Sequence, residues 1–224
     1  MHPLKMYYEV INGILQDILK EEESFNRAAE AIAKRVAEDR LIFVFGTGGH
    51  SIMGSEEIFC RAGGFACVNA MLDPGLSYLN GSRRTTLTER TVGYGKTVVD
   101  FYEIEKGDIL IIVNVNGINA VTIDSAMEAK RRGAEVIAVT SRKFSDNVPP
   151  GADSPSNKNL YEVADHVIDV HVPVGDDVLD IEGVPSKVSA SSTVAIAFAL
   201  NALMATVAKT LVEGAIVTDS NINF

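Results

Sequence analysis

From Leu41 to Phe45 the chain runs Leu-Ile-Phe-Val-Phe without one polar residue and then stops at Gly46-Thr47-Gly48-Gly49. A run this apolar, with no alternation, suits a strand covered on both faces, so the sheet that holds it must sit between two other layers. Similar runs occupy Phe65–Ala70, Ile109–Val115, Glu135–Val139 and His166–Val172, with helical stretches between several of them. Strands alternating with helices imply right-handed crossovers, and hence an α/β three-layer αβα sandwich around a five-stranded parallel sheet. The run at Leu41 is read as its first and central strand. Helices are expected at Ser51–Ala62, Leu87–Phe101, Asn119–Arg132 and Ser191–Glu213. Ahead of the first strand, Val10, Ile14 and Ile18, then Phe25, Ala28, Ala29, Ile32 and Val36, recur at helical spacing. The expected division is a helical pair over 1–40, packed on the domain and offering an oligomer interface, followed by an α/β domain over 41–224.

A chain of 224 residues with 46% hydrophobic and 22% charged side chains can bury one core without staples. Its formal net charge of -10 argues against a nucleic-acid partner, because binding a phosphate backbone needs clustered Lys and Arg. An anionic ligand must therefore be held locally. Cys60 and Cys67 match no zinc spacing and read as reduced, buried thiols. Lys5, Glu9, Asn12 and Asp17 interrupt the first twenty residues, so neither a signal peptide nor a membrane partner is expected, and the location expected is cytoplasmic. Arg142–Asn159, with three prolines, reads as a surface loop.

Glycines after a buried strand let the backbone approach a ligand, and the helix that follows presents unpaired N–H groups. Gly46, Thr47, Gly48, Gly49 and Ser51 thus form an anion site, with Thr47 and Ser51 adding hydroxyls suited to a phosphate monoester. Two nucleotide motifs fail here. Gly46-x-Gly48-x-x-Ser51 lacks the third small residue of a dinucleotide turn and an acidic residue ending the second strand. Gly95-Lys96-Thr97 lacks the first glycine and the preceding strand of a P-loop.

The turn GTGGHS, the downstream EEIFCRAGG, the stretch NVNGINAVTIDSAMEAKRRGAEVIAVTS and the segment LYEVADHVIDVHVP together resemble a sugar-isomerase (SIS) domain. VGDDVLDIEG and SSTVAIAFALNAL are most similar to the UPF0309 group of bacterial SIS proteins, and the N-terminal helical pair is like that of phosphoheptose isomerases. The resemblance spans nearly the whole chain. It implies a flavodoxin-like SIS fold with an N-terminal helical extension, a phosphorylated sugar as ligand, a role in carbohydrate metabolism, no cofactor, and a homodimer or homotetramer. It also implies a second phosphate turn, where the family's usual Ser-x-Ser-Gly is replaced by Asn114-Val115-Asn116-Gly117. There Asn114, Asn116 and Asn119 supply amide donors in place of hydroxyls.

A shift of a proton between C1 and C2 of a sugar needs a base beside that proton. Glu57 lies two helical turns beyond His50, and the resemblance singles out Glu57, with Glu56 as the fallback. His50, beside the turn, and His171, after the last strand, are candidates to polarise the carbonyl or open the ring. Ser191, Ser192 and Thr193 open the final helix and offer a further oxyanion or sugar site. Asp176, Asp177, Asp180 and Glu182 match no metal motif, and no metal is expected. The leading expectation is an aldose-ketose sugar-phosphate isomerase in which Thr47, Ser51, Asn116 and Asn119 hold phosphate and Glu57 moves the proton. Two others stand beside it: a noncatalytic phosphosugar-binding regulatory module, and a lyase resembling N-acetylmuramic acid 6-phosphate etherase.

Overall fold

In the computed structural model, residues 1–148 and 156–214 are described. Helix α1, Pro3–Ile18, starts with proline, whose missing N–H costs nothing in a first turn, and His2 Nδ1 accepts the Leu4 amide at 3.2 Å. In α2, Glu22–Ala37, Glu22 and Glu23 open the helix and Lys34 and Arg35 close it, each sign placed against the opposite end of the helix dipole. Its Phe25, Ala28, Ala29, Ile32 and Val36 are all buried.

Then come β1 (Ile42–Gly46), α3 (Ile52–Glu57), β2 (Val68–Ala70), α4 (Ser82–Thr88), α5 (Tyr94–Phe101), β3 (Ile109–Val113), α6 (Ala120–Arg132) and β4 (Glu135–Thr140). They are followed by α7 (Arg142–Asn147), α8 (Leu160–Val163), β5 (His166–Asp169), a hairpin of β6 (Asp177–Leu179) and β7 (Val188–Ala190), and α9 (Ser192–Glu213). The five-stranded sheet has the order β2-β1-β3-β4-β5, and every pairing in it is parallel. This is the flavodoxin-like order, in which the chain changes direction across the sheet between β1 and β3.

Alternation along the strands explains the apolar runs. Ile42 and Val44, with Ile109, Ile111 and Val113, face the layer of α2 and α9. Phe43 and Phe45, with Leu110 and Ile112, face α5 and α6. Both faces are dry, so neither parity tolerates a polar side chain, and each buried Ile or Leu contributes roughly 1.5–3 kcal/mol. Helix α9 is long and apolar enough to span a membrane by length and composition, but Ala195, Ile196, Ala199, Leu200, Leu203, Val207 and Leu211 belong to this core. On the other side α5 crosses α6 closely at Gly95, where a Cβ would run into Val121 O and Ser125 Oγ.

Several expectations are corrected. The middle of the sheet is β3, and β1 lies beside the edge strand β2. The helix expected over Ser51–Ala62 ends at Glu57, and beyond it Cys60 at φ 49° and Gly63 at φ 75° turn the chain left-handed. Cys60 is exposed and Cys67 only half-buried, so they are not a pair of core thiols. The single helix expected over Leu87–Phe101 is two, because Gly93 at φ 87° breaks it. The loop expected from Arg142 opens as α7, capped by Ser141 Oγ accepting from Phe144 N at 3.4 Å, while its residues 149–155 lie outside the described ones. The polar stretch after Val172 contains the hairpin.

Candidate functional site

Register brings the two glycine-bearing turns together: Phe45 pairs with Ile112 and Gly46 with Val113, so the chain leaves β1 and β3 side by side. The first turn folds tightly. A Cβ on Gly46 would strike the Ser51 carbonyl, and the Gly46 amide is tied to Ser55 Oγ at 2.6 Å. The amides of Gly48, Gly49, His50 and Ser51 have no hydrogen-bond partner among the described residues. In the second turn Asn114 Oδ1 accepts from Gly117 N at 2.9 Å and Asn116 Oδ1 from Ile118 N at 3.3 Å, which leaves both Nδ2 groups as donors. Gly117, at φ 61°, packs beside Thr140 and Ser145, and Asn119 is the N-cap of α6 with no cap bond from its side chain.

One open cleft is lined by Gly48, Gly49, His50, Ser51, Asn114, Asn116 and Asn119 from these turns. Tyr78, Glu89, Phe144, Asp176 and Ser192 complete it from other elements. Tyr78 packs its ring where a Gly49 Cβ would be, and it meets His50 edge-on at 4.9 Å between centroids. Glu89, with its side chain 15% exposed, lies close to Gly48: a Cβ there would stand 2.7 Å from Glu89 Oε2 and 3.6 Å from Asn114 Nδ2. Burial raises the Glu89 carboxyl above its ordinary pKa, while Arg90, at 3.1 Å from Oε1, pulls the other way. Burial likewise raises the Tyr78 hydroxyl, with the charge of Glu89 adding to it.

Other expected site residues are placed elsewhere. Thr47 is buried, its hydroxyl 2.7 Å from Thr122 Oγ1 on α6, so it does not line the cleft. Glu57 accepts from Asn201 Nδ2 at 2.9 Å and pairs with Arg61 at 3.3 Å; with His50 and Thr193 it lines a small adjoining pocket. Glu56, the fallback, is exposed. His171 faces the helical pair, with Nε2 3.0 Å from Glu21 and Nδ1 3.9 Å from Asp169. His50 does not cap α3, whose N-cap is Ser51.

The first turn of α9 holds an internal anion. Asp176, at φ 69° beside Gly175 at φ 92°, turns its carboxylate onto that helix end. Oδ1 accepts from Ser192 N at 2.7 Å, Ser191 N at 2.9 Å and Ser191 Oγ at 3.1 Å, and Oδ2 from Ser192 Oγ at 2.6 Å. Ser191 and Ser192 thus bind the chain's own carboxylate in this structure. Among the described residues no cluster of three or more His, Cys, Asp or Glu side chains has the makings of a metal site. Sequence reasoning missed Tyr78 and Glu89, which reach the cleft from a segment with no recognisable motif. It noted Asp176 only as one of an acidic group.

A SIS-domain family model matches residues 6–141. A UPF0309 protein from Caldanaerobacter subterraneus is 38% identical over 214 residues, covering 94% of this chain and 86% of that protein. The chain belongs to the UPF0309 group of SIS-domain proteins. Solved SIS-type structures share its fold. A phosphoheptose isomerase from Neisseria gonorrhoeae aligns with a TM-score of 0.58 at 17% identity, over 92% of this chain and 97% of that one. The Vibrio vulnificus NanR protein complexed with ManNAc-6P aligns with a TM-score of 0.54 at 16% identity, over 94% of this chain and 63% of that one. At these identities the likeness is one of fold, and the chemistry of this UPF0309 cleft has to be argued from its own residues.

Proposed function

We propose that the chain binds a phosphorylated sugar in the cleft between the β1 and β3 turns and interconverts its aldose and ketose forms, with Glu89 as the proton-transfer group. The observation that carries this reading is the meeting, around one cleft, of four unpartnered amides from Gly48 to Ser51, the amide side chains of Asn116 and Asn119, and a largely buried carboxyl. Neutral donors arrayed on adjacent turns suit a phosphate monoester, which presents several acceptor oxygens. The family assignment supports it, as do two fold neighbours, one a phosphoheptose isomerase and the other complexed with ManNAc-6P.

Isomerisation moves one proton. A base takes it from C2 of the open-chain aldose as the O1 carbonyl gains a proton to give the enediol; return of the proton to C1, with loss of the O2 hydroxyl proton as C2=O forms, yields the ketose. A carboxyl whose pKa burial raises is a stronger base once ionised and so better suited to take and return that proton. Glu89 lies in the cleft, whereas Glu57 is held by Asn201 and Arg61 in the pocket beside it. His50 lines both spaces, which supports a role for it against the sugar oxygens.

The test is solvent exchange. Aldose and ketose phosphates incubated with the protein in D₂O acquire deuterium at C1 or C2, followed by proton NMR. Glu89→Gln should abolish exchange while calorimetry still detects binding, and Glu57→Gln should retain exchange. Exchange that survives Glu89→Gln and vanishes in Glu57→Gln would transfer the role to Glu57. Binding without exchange in the unaltered protein would leave a phosphosugar-binding module and no isomerase.

A further inference from the structure

We propose that the ligand of this cleft is a sugar monophosphate whose phosphate is its only anionic group, with a body that is neutral or carries an ammonium. The inference rests on the phosphosugar reading above and narrows it to a charge class. Among the described residues no Lys or Arg lines the cleft, so backbone amides, asparagine side chains and His50 are the donors that meet the phosphate. Two carboxyl groups, Glu89 and Asp176, face the same space.

Both are engaged by partners within the chain. Asp176 is pinned by both amides and both hydroxyls of Ser191 and Ser192, with three of those contacts on Oδ1. That leaves Oδ2, which among the described residues accepts from Ser192 Oγ alone, with a lone pair for a hydroxyl or ammonium of the ligand. Glu89 Oε1 is bonded to Arg90, and Oε2 lies close to Gly48. A carboxylate or second phosphate on the sugar would meet two carboxyl groups in a partly desolvated site where the adjacent cation, Arg90, is already engaged by Glu89, whereas hydroxyls and an ammonium would find acceptors there. The chain's net charge of -10 acts in the same direction at longer range.

Calorimetry at fixed pH and ionic strength with matched pairs tests this. Fructose 6-phosphate is compared with fructose 1,6-bisphosphate, and glucose 6-phosphate with both 6-phosphogluconate and glucosamine 6-phosphate. The expected result is binding at least about tenfold weaker for the bisphosphate and the sugar acid than for their partners, and no loss for the amino sugar. Asp176→Asn and Glu89→Gln, each checked for folding by thermal melting, should narrow that gap. A bisphosphate or sugar acid that binds as tightly as its monophosphate overturns the inference, and so does a gap unchanged in both variants. If no sugar phosphate binds at all, the underlying phosphosugar reading falls, an outcome distinct from binding without discrimination.

Discussion

Replacing Asp176 by Ala removes the anion that closes the first turn of α9. Four contacts of 2.6–3.1 Å disappear, and two belong to the backbone amides of Ser191 and Ser192, both buried residues. Loss of a helix cap costs about 0.5–2 kcal/mol, and a hydrogen bond to a charged group contributes about 1.5–3 kcal/mol. These do not add in full, since water from the open cleft reaches part of the vacated site, so about 2–4 kcal/mol is expected. For a domain of this size that lowers Tm by roughly 5–15 °C. Asp176→Asn keeps an acceptor for the two amides and tolerates the left-handed backbone, so it should cost only about 1 kcal/mol. Thermal melts of the three proteins give the ranking, and amide exchange at Ser191 and Ser192 locates the loss. An Asp176→Ala protein that melts within about a degree of the parent, with those amides still protected, would refute the view that this carboxylate holds the helix end.

Four further outcomes follow from single sites. Glu89→Gln should raise Tm at neutral pH: a carboxyl whose folded pKa is raised loses stability as pH climbs from the unfolded value through the folded one, so the advantage should shrink towards pH 4.5. Glu128 has the opposite sign. The Arg131 hydrogen bond, joined by Arg132, lowers its pKa to about 2, so the stability that it contributes above pH 4.5 is lost as pH falls towards 2, and the Tm difference from Glu128→Gln should close over that window. Gly95→Ala should destabilise by about 1–3 kcal/mol in chemical denaturation, because the added Cβ meets the Val121 carbonyl, whereas Gly13→Ala on α1, with nothing within 4 Å, should stabilise by about 0.4–1 kcal/mol.

Much of the fold is legible in the sequence because strands buried on both faces leave no room for polar residues at either parity, and the glycines after β1 mark where the backbone must turn sharply. The breaks were harder to read. Gly93 and Cys60 interrupt stretches whose apolar spacing continues, since periodicity reports which face is buried and not where the backbone leaves the helix. At the site, both turns were visible as strand-end glycine and asparagine clusters. The direction of Thr47 was readable in principle: it shares parity with Phe43 and Phe45, the residues facing α5 and α6, and its hydroxyl meets Thr122 on α6. Glu89 was not readable, because it arrives at the cleft through the packing of a remote segment on Gly48. The left-handed Gly175-Asp176 pair carried a local signal, but its target, the start of α9, is fixed only by the tertiary fold.

Amide chemical-shift mapping during titration with sugar monophosphates reads out directly whether the cleft between the β1 and β3 turns binds them. Saturable shifts are expected at Gly48, Gly49, His50 and Ser51, at Asn116 and Asn119, and at Ser192. Absence of saturable shifts at both turns, or shifts confined to the Glu57, Arg61 and Asn201 pocket, would contradict binding in that cleft.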